Sequence, residues 1–213
     1  MEIRGERITI RTLKLEDAYY MNYWGKHENP LLFDYNIPPL TKEEIGEWYH
    51  YKIQKDKNRY YGIFNEEDKL IGYLGIKRIR KLFRDSLLGI VLDPNHINKG
   101  YGTEAILTFL DFYFNEMGMN KMYLEVAQFN KRAIRCYEKC GFKIIDRYLD
   151  EFFNQELDLK DPHFLEESSS FVIIRGRIYN YIYKMKVDRK RYLKAREEIE
   201  NEKARDKIRP TTV

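Results

Sequence analysis

The sequence predicts a mixed α/β domain followed by a charged C-terminal helix. Two segments support this prediction, because each joins a strand pattern to a helix pattern through a polar turn. The apolar run of residues 86–92 ends at Asp93-Pro94, and a turn with two glycines then leads into a helical run. The alternating run of residues 121–127 precedes a second helix, which starts after Asn130 and ends at Gly141. A length of 213 residues suits one domain with a sizeable core.

The elements before the glycine turn follow from local patterns. Thr41 and Glu44 have the spacing of a capping box, which predicts a helix that runs to about Lys55. A polar turn at residues 66–69 joins two strands of a hairpin. The predicted elements are a strand at 7–11, helices at 15–27 and 41–55, and strands at 60–65 and 70–80.

The elements after the glycine turn follow in the same way. The helix predicted at 102–117 has an apolar face that consists of Ala105, Ile106, Phe109, Leu110 and Tyr113. Strands are predicted at 143–153 and 176–187. The segment between them, residues 154–175, is polar and acidic, and we interpret it as an insertion. Insertions at surface turns cost little free energy, so a mobile loop is the default expectation for it.

The positive charge of the chain lies in its C-terminal tail. The chain has 38 Lys and Arg against 34 Asp and Glu, a net charge of +4. From Lys184 onward there are eleven basic and six acidic residues, so the rest of the chain is close to neutral. We therefore expect a domain at 1–187 and a helical tail at 188–213, with a thin stripe of Tyr192, Ala195 and Ile199. The interspersed acids favour a solvated or packed helix over a patch that binds nucleic acid.

The remaining composition favours a cytoplasmic protein. No run of 18 apolar residues is present, and the start of the chain lacks the apolar region of a signal peptide. The two cysteines, Cys136 and Cys140, are four residues apart in one predicted helix, which indicates free thiols in a reducing compartment. No further metal ligands lie nearby, so no metal site is expected.

The glycine turn has the local order of an anion-binding site. Gly100 and Gly102 let the backbone approach a ligand closely, and the following helix begins with unpaired N–H groups and a positive dipole end. The second motif, N-K-R-A-I-R-C-Y-E-K-C-G-F, begins at Asn130. Together with G-Y-G-T-E-A at Gly100, it resembles the GNAT superfamily of N-acetyltransferases. The resemblance covers residues 5–153 and 176–187. It is strongest to the branch of ribosomal-protein N-terminal and spermidine N-acetyltransferases.

The resemblance implies a largely antiparallel central sheet that splays between residues 86–92 and 121–127, with helices on both faces. It also implies acetyl-CoA as co-substrate and a catalytic Tyr137, which would donate a proton to the departing sulfur. A phenol and a thiol have pKa values close enough for this transfer. The implied cofactor-binding residues are Ile90, Val91 and Leu92 along the strand, Asn98, Lys99, Gly100, Tyr101, Gly102 and Thr103 in the turn, and Asn130 and Ala133 at the second helix. Lys99 and Tyr101 are expected to act through their backbone amides.

Two positions depart from the pattern of the family. Ile97 stands where relatives often have Gln or Arg, which matters little if backbone amides bind the phosphates. Leu87 stands where many relatives have a glutamate on the central strand, so the general base is left open. Asp85 is one substitute, although it reads more simply as a turn residue. A base that acts through water, or an amine that is already partly neutral, fits equally well.

The acceptor site is expected to be formed by the first two helices and their link together with the insertion, for which a lid over the amine site is the alternative to a mobile loop. The stretch from Trp24 to Trp48 contains Glu28, Phe33, Asp34, Tyr35, Glu43, Glu44 and Glu47. Such residues form either an acidic aromatic pocket for an ammonium group or an ordinary helix pair with a solvated acidic face. The four histidines are scattered along the chain and show no catalytic or metal-binding pattern, and His96 is interpreted as a solvated turn residue.

Two functions follow from these observations. The first is an acetyl-CoA-dependent N-acetyltransferase in which a primary amine attacks directly in a ternary complex. The amine would belong to a small molecule, an amino sugar or a protein N-terminus. The second is a non-catalytic module that binds or senses acetyl-CoA and uses its basic tail for a partner. Proteins of this kind are often homodimers, but no residue here identifies an interface.

Overall fold

A computed structural model describes residues 1–53 and 58–208 of the chain. In these ranges the strands are β1 Glu2–Arg4, β2 Thr9–Thr12, β3 Arg59–Phe64, β4 Leu70–Arg80, β5 Asp85–Leu92, β6 Lys121–Ala127, β7 Lys143–Glu151, β8 Phe171–Ile174 and β9 Arg177–Asp188. The α-helices are α1 Leu15–Ala18, α2 Lys42–Ile53, α3 Tyr101–Asn115, α4 Lys131–Lys139, α5 Pro162–Glu166 and α6 Arg189–Ile208.

The strands form one mixed sheet in the order β1-β2-β3-β4-β5-β6-β9-β7, and β8 pairs with β9. Every neighbouring pair is antiparallel except β5 and β6, which are parallel. The larger core lies between the sheet and α3 and α4. A second core packs α1 and α2 against the opposite face of β3 and β4. The predicted mixed α/β class with a mostly antiparallel sheet is therefore confirmed.

The helix predicted at 15–27 is the main error in the first half of the chain. The structure has a single α-helical turn, α1, and a 3-10 segment at Tyr19–Tyr23, and Trp24 is already extended. Burial of Trp24 explains this ending, because its ring stacks on Tyr73 and its indole N–H donates to the carbonyl of Leu70 at 3.0 Å. These contacts with the sheet override helix propensity.

The capping box at Thr41 is confirmed. Its backbone N–H donates to the Glu44 carboxylate at 2.8 Å, and the Glu44 N–H donates to the Thr41 hydroxyl at 3.2 Å. The predicted end of this helix near Lys55 lies outside the described residues. The predicted first strand at 7–11 is shifted to β2, and the N-terminal strand β1 was not predicted.

The insertion at 154–175 is folded, which corrects the expectation of a mobile loop. It contains α5 and β8, and Phe164 and Phe171 are buried. Their rings join Phe129 and Phe152 in a cluster in which the rings of Phe129 and Phe171 are stacked, with centroids 5.3 Å apart. The polar composition concealed this cluster, because only a few aromatic residues in the segment face inward.

The C-terminal helix α6 packs against the domain. Tyr192 is buried, and its hydroxyl donates to the Asp111 carboxylate on α3 at 2.7 Å. A Cβ at Gly141 would lie 2.8 Å from the backbone oxygen of Arg191, so only glycine permits this close approach. This packed helix matches the interpretation that we favoured for the tail. Within residues 1–53 and 58–208, no helix combines the length and apolarity needed to cross a bilayer.

Truncation of Phe171 to alanine should lower the free energy of unfolding by about 3–5 kcal/mol, because it removes a buried aromatic ring from a packed cluster. Phe153→Ala is the matched control, since that ring is 46% exposed. Chemical denaturation of both variants measures the difference. Equal and small effects for the two substitutions would show that the insertion does not contribute to the core.

Candidate active site

The cleft of the protein begins where the two parallel strands separate. β5 and β6 pair only from Asp85 to Leu87, opposite Lys121 to Tyr123. Tyr113 of α3 holds the closed end together, because its buried hydroxyl lies 2.9 Å from the Ser86 hydroxyl and donates to the Lys121 carbonyl at 2.7 Å. Beyond this point β5 continues to Leu92 without a partner on that side, which confirms the predicted splay.

A cavity of about 510 Å³ occupies the splay. Its walls come from α2, from strands β3 to β6, from the glycine turn and from α4. The lining residues are His27, Tyr35, Lys52, Tyr60, Tyr73, Lys77, Leu88, Gly89, Ile90, Val91, Leu92, His96, Ile97, Asn98, Gly100, Gly102, Thr103, Ile106, Glu125, Val126, Asn130, Arg132, Ala133, Arg135, Cys136, Tyr137 and Lys139.

Ten of the twelve predicted site residues line this cavity. The exceptions are Lys99 and Tyr101, whose side chains turn away. The Lys99 ammonium donates to the carbonyl of Asn95 at 2.9 Å, and the Tyr101 hydroxyl donates to Glu66 at 2.9 Å. This arrangement agrees with the expectation that only their backbone amides face a ligand.

The glycine turn is held from outside the cavity. The Arg7 guanidinium donates to the Lys99 carbonyl at 3.0 Å and to the Glu104 carboxylate at 2.9 Å. Gly100 has φ +86°, and a Cβ at Gly102 would lie 3.1 Å from a Leu92 methyl group. In the part of the chain that the structure describes, no backbone N–H from residue 98 to 103 donates to a protein acceptor. These amides are available to an anion.

The turn also depends on Asp93. This buried carboxylate accepts from the backbone N–H groups of Gly25 and Asn95 and lies 2.9 Å from Nδ1 of His96. The interpretation of His96 as a solvated turn residue is therefore corrected. Its ring is anchored at the cavity wall and packs near Tyr101, with ring centroids 6.1 Å apart.

Helix α4 presents Tyr137 to the cavity. Asn130 caps the helix by accepting from the Ala133 N–H at 3.2 Å, which confirms its predicted capping role. Burial raises the pKa of Tyr137 well above its ordinary value, and the neighbouring Tyr35 adds to this effect. Burial likewise raises the pKa of Tyr35, although a hydrogen bond with Asn130 partly offsets the shift. Both phenols therefore keep their protons at neutral pH.

Asp85 is not in the cavity. It lies at the closed end of the strand pair, where the Arg80 guanidinium donates to both of its carboxylate oxygens at 2.6 Å. Its carboxylate is buried and fully occupied by this pair. Asp85 is therefore excluded as a substitute for the missing strand glutamate.

The acidic and aromatic residues between Trp24 and Trp48 do not build this cavity. Of the residues expected to form the acceptor pocket, only Tyr35 lines it. Trp24 belongs to the core, and Glu44 is used in capping α2. No residue of the insertion at 154–175 lines the cavity either, so the insertion does not act as a lid in this structure.

The lining carboxylate is Glu125, which sequence reasoning missed. Glu125 stands on β6 between Leu124 and Val126, so it faces the side of the strand opposite to the core. It hydrogen-bonds Tyr148 of β7, and burial together with Glu125 raises the pKa of Tyr148 to about 12. The sequence did contain a signal for this residue, namely an acidic side chain at an outward-facing position of a strand with alternating polarity.

The cations of the cavity were also missed. Lys52 and Lys77 lie on the side of α2 and β4, whereas Arg132, Arg135 and Lys139 lie on α4. Burial lowers the pKa of Arg132, which remains far above neutral as expected for a guanidinium. The cavity as a whole is thus strongly positive and suits an anionic ligand.

A family comparison accounts for this combination of a splayed strand pair, a glycine turn and a tyrosine on the following helix. Residues 7–143 match the model of the acetyltransferase (GNAT) domain. The chain belongs to the GNAT acetyltransferase family. It transfers an acetyl group from acetyl-CoA to an amine, as both sequence motifs had indicated.

Individual relatives agree with this assignment. A spermidine N(1)-acetyltransferase of Vibrio cholerae is 27% identical over 149 residues, which cover 70% of this chain and 86% of the relative. The probable N-acetyltransferase YjcK of Bacillus subtilis is 30% identical, and the match covers 66% and 82% of the two chains. A solved chimeric spermidine N-acetyltransferase from Vibrio cholerae has a TM-score of 0.66 and 25% identity, and covers 88% of this chain and 99% of that one.

Cys136 provides a probe of the acetyltransferase cavity. Hydrogen bonds from Cys140 and Thr103 lower the pKa of Cys136 to about 7, whereas burial raises the pKa of Cys140. Because the thiolate is the reactive form, alkylation by iodoacetamide should increase with pH around a midpoint of about 7, and CoA should slow it.

Mass spectrometry after timed alkylation measures this reactivity, and Cys136→Ser serves as the control. A midpoint at the ordinary cysteine value of about 8.5 would contradict the assigned environment. Equal labelling with and without CoA would contradict the location of Cys136 in the ligand cavity.

Proposed function

We propose that this acetyltransferase binds acetyl-CoA along the unpaired edge of β5 and uses Tyr137 as its proton donor. The observation that carries the proposal is the position of Tyr137, in the same cavity as the unpaired strand and the available turn amides. Bound acetyl-CoA supplies an activated thioester and a thiolate leaving group. The residues that hold it are Ile90, Val91 and Leu92 by strand pairing, residues 98–103 by their amides, and Asn130 and Ala133 at the start of α4.

The cavity fits this ligand in shape and charge. Gly100 has a positive φ that favours glycine, and a Cβ at Gly102 would lie 3.1 Å from a Leu92 methyl group, so the conformation of the turn depends on glycine at both positions. Arg135 and Lys139 lie on the α4 wall and add positive charge for phosphate groups. Burial raises the pKa of Tyr137 well above its ordinary value, so its Oη is protonated at neutral pH and can donate a hydrogen bond to the departing sulfur. The same shift makes complete transfer of the proton to a thiolate less favourable than it would be from an unperturbed phenol.

Glu125 is the residue that we assign as general base. It is the lone carboxylate among the cavity-lining residues in the described part of the chain. The hydrogen bond with Tyr148 fixes its orientation. A carboxylate here can accept the proton of an ammonium group, either directly or through water, and so increase the share of the reactive neutral amine.

The acceptor is a primary amine. Several relatives are named for spermidine, which makes a polyamine the first acceptor to compare with peptides and amino sugars. The positive lining of this cavity weighs against a polycation, however, since Glu125 is the single acidic residue among the described residues that line it. We place the reaction in the cytoplasm, because Cys136 and Cys140 are free thiols close to the reacting groups.

Substitution Tyr137→Phe should lower kcat by about 10²–10⁴-fold, because it removes one general acid. The affinity for CoA should be unchanged, since the ring is kept and only the hydroxyl is lost. Thiol release and calorimetric CoA titration measure the two quantities, with Tyr179→Phe as a control outside the cavity. An unchanged kcat would refute the assignment of Tyr137 as the proton donor.

Substitution Glu125→Gln should lower kcat/KM for the amine by about 10²-fold or more near pH 7. The deficit should shrink as the pH rises, because a larger share of the amine is then neutral in solution. A pH profile of both enzymes measures this recovery, and Glu138→Gln is the control on the exposed face of α4. A constant deficit across the pH range would assign Glu125 to binding and not to proton transfer.

A further inference from the structure

Two glycines lie side by side in the sheet at the end of the cavity opposite the glycine turn, and one of them, Gly89, lines the cavity. Gly75 of β4 and Gly89 of β5 are direct partners in the antiparallel register. A Cβ at Gly75 would lie 2.4 Å from the ring of Tyr60, so this ring packs directly on the strand. A Cβ at Gly89 would lie 3.5 Å from Nζ of Lys77. The Lys77 ammonium therefore lies over Gly89, next to the acetyl-binding strand.

Two lysines supply the charge at this end. Lys52 of α2 places its ammonium 5.6 Å from the ring centroid of Trp48 and 5.5 Å from that of Tyr60. Lys77 is half-buried, and among residues 1–53 and 58–208 it has no carboxylate within ion-pair distance. The Lys77 ammonium lines the cavity, so an anionic group bound there would give it a counter-charge.

The phosphates of the co-substrate are not the partner of Lys77. Lys77 is paired with Leu87, whereas the glycine turn follows Leu92 at the other end of β5. The Lys77 ammonium lies over Gly89, and a strand rises about 3.3 Å per residue, so roughly 10 Å of strand separates this ammonium from Leu92 at the start of the turn. The phosphate-binding amides and the Lys77 ammonium therefore serve different parts of the bound ligands.

We propose that the acceptor is an amine that also carries an anionic group, and that Lys77 binds this group. The inference rests on the proposed function, in which Glu125 receives the ammonium group of the acceptor. The Lys77 ammonium on β4 and the Glu125 carboxylate on β6 line the same cavity from different strands, so they can face an anion and an ammonium group on one ligand. This complementarity orients the amine toward the thioester end of the cavity.

The same arrangement disfavours a polyamine. An extended polyamine that places one nitrogen at Glu125 would bring another ammonium group toward Lys77 or Lys52. Like charges in a partly desolvated cavity repel more strongly than in water. The chemistry that Lys77 can recognise is shared by carboxylates and phosphates, so α-amino acids and phosphorylated amino sugars are the two sources to compare.

Matched acceptor pairs test the proposal. Alanine is compared with alaninamide, glucosamine 6-phosphate with glucosamine, and spermidine is included as the polycation. Steady-state thiol release gives kcat and KM, and calorimetry on the CoA-bound enzyme gives the acceptor Kd. We expect the anionic member of at least one pair to have a kcat/KM at least tenfold higher, mainly through a lower KM. The pair that shows the difference identifies the anion as carboxylate or phosphate.

Variants of Lys77 distinguish a loss of anion recognition from a general loss of folding or activity. Lys77→Met should remove the preference for the anionic acceptor and leave the neutral member nearly unchanged. Lys77→Glu should turn the preference toward spermidine. Lys81→Met removes the same charge from the exposed turn after β4 and should keep the preference intact.

Three results would overturn the proposal. They are equal or tighter binding of the neutral member in both pairs, tighter binding of spermidine, and a preference that survives Lys77→Met. None of these results touches the proposed function, which depends on thiol release with any amine and on its loss in Tyr137→Phe. Because calorimetry measures binding without turnover, the outcome is decided even if the acceptors tested are slow substrates.

Discussion

The constraint on which the structure depends is the short pairing of the two parallel strands. Backbone N–H and C=O groups in a sheet require partners, and β5 loses its neighbour after Leu87. The closed end must therefore be strong enough to prevent the splay from spreading. Tyr113 provides this strength, because one buried phenol bridges Ser86 of β5 and the Lys121 carbonyl of β6. The unpaired edge beyond it can then accept a ligand chain in place of a strand.

The cavity walls around this edge come from different parts of the chain and therefore carry different charged groups. Helix α4 and the glycine turn supply amides and cations at one end, and this end is set by local sequence. The other end is formed by β4 and α2, which the chain brings to β5 through antiparallel register and through the packing of Trp48 and Tyr60 on Tyr73. The Glu125 side chain of β6 lines the cavity on the side opposite β4 and α2. One cavity thus combines a phosphate end with an acceptor end.

The parts that could be predicted from sequence are those with local causes. The strand β4, the apolar face of α3, the capping box at Thr41 and the cap at Asn130 each depend on residues within one turn or one strand. The end of α1 could not be predicted in this way, because distant contacts of Trp24 terminate it. The buried cluster around Phe171 was missed for the same reason, since its partners lie far away in the sequence.

The position of Glu125, which we propose as general base, explains why local sequence patterns did not identify this residue. Leu87 is the position on β5 where the family resemblance led us to expect a glutamate, and its register partner across the parallel pair is Tyr123 of β6. Alternation places Glu125 on the same face as Tyr123 and one step further into the splay. The carboxylate thus reaches the cavity from the other strand, at the level where the two strands have already separated. A search restricted to β5 finds only Asp85, which Arg80 neutralises at the closed end. The parallel register, which the sequence does not encode locally, places Glu125, the residue that we propose as general base, on β6 and not on β5.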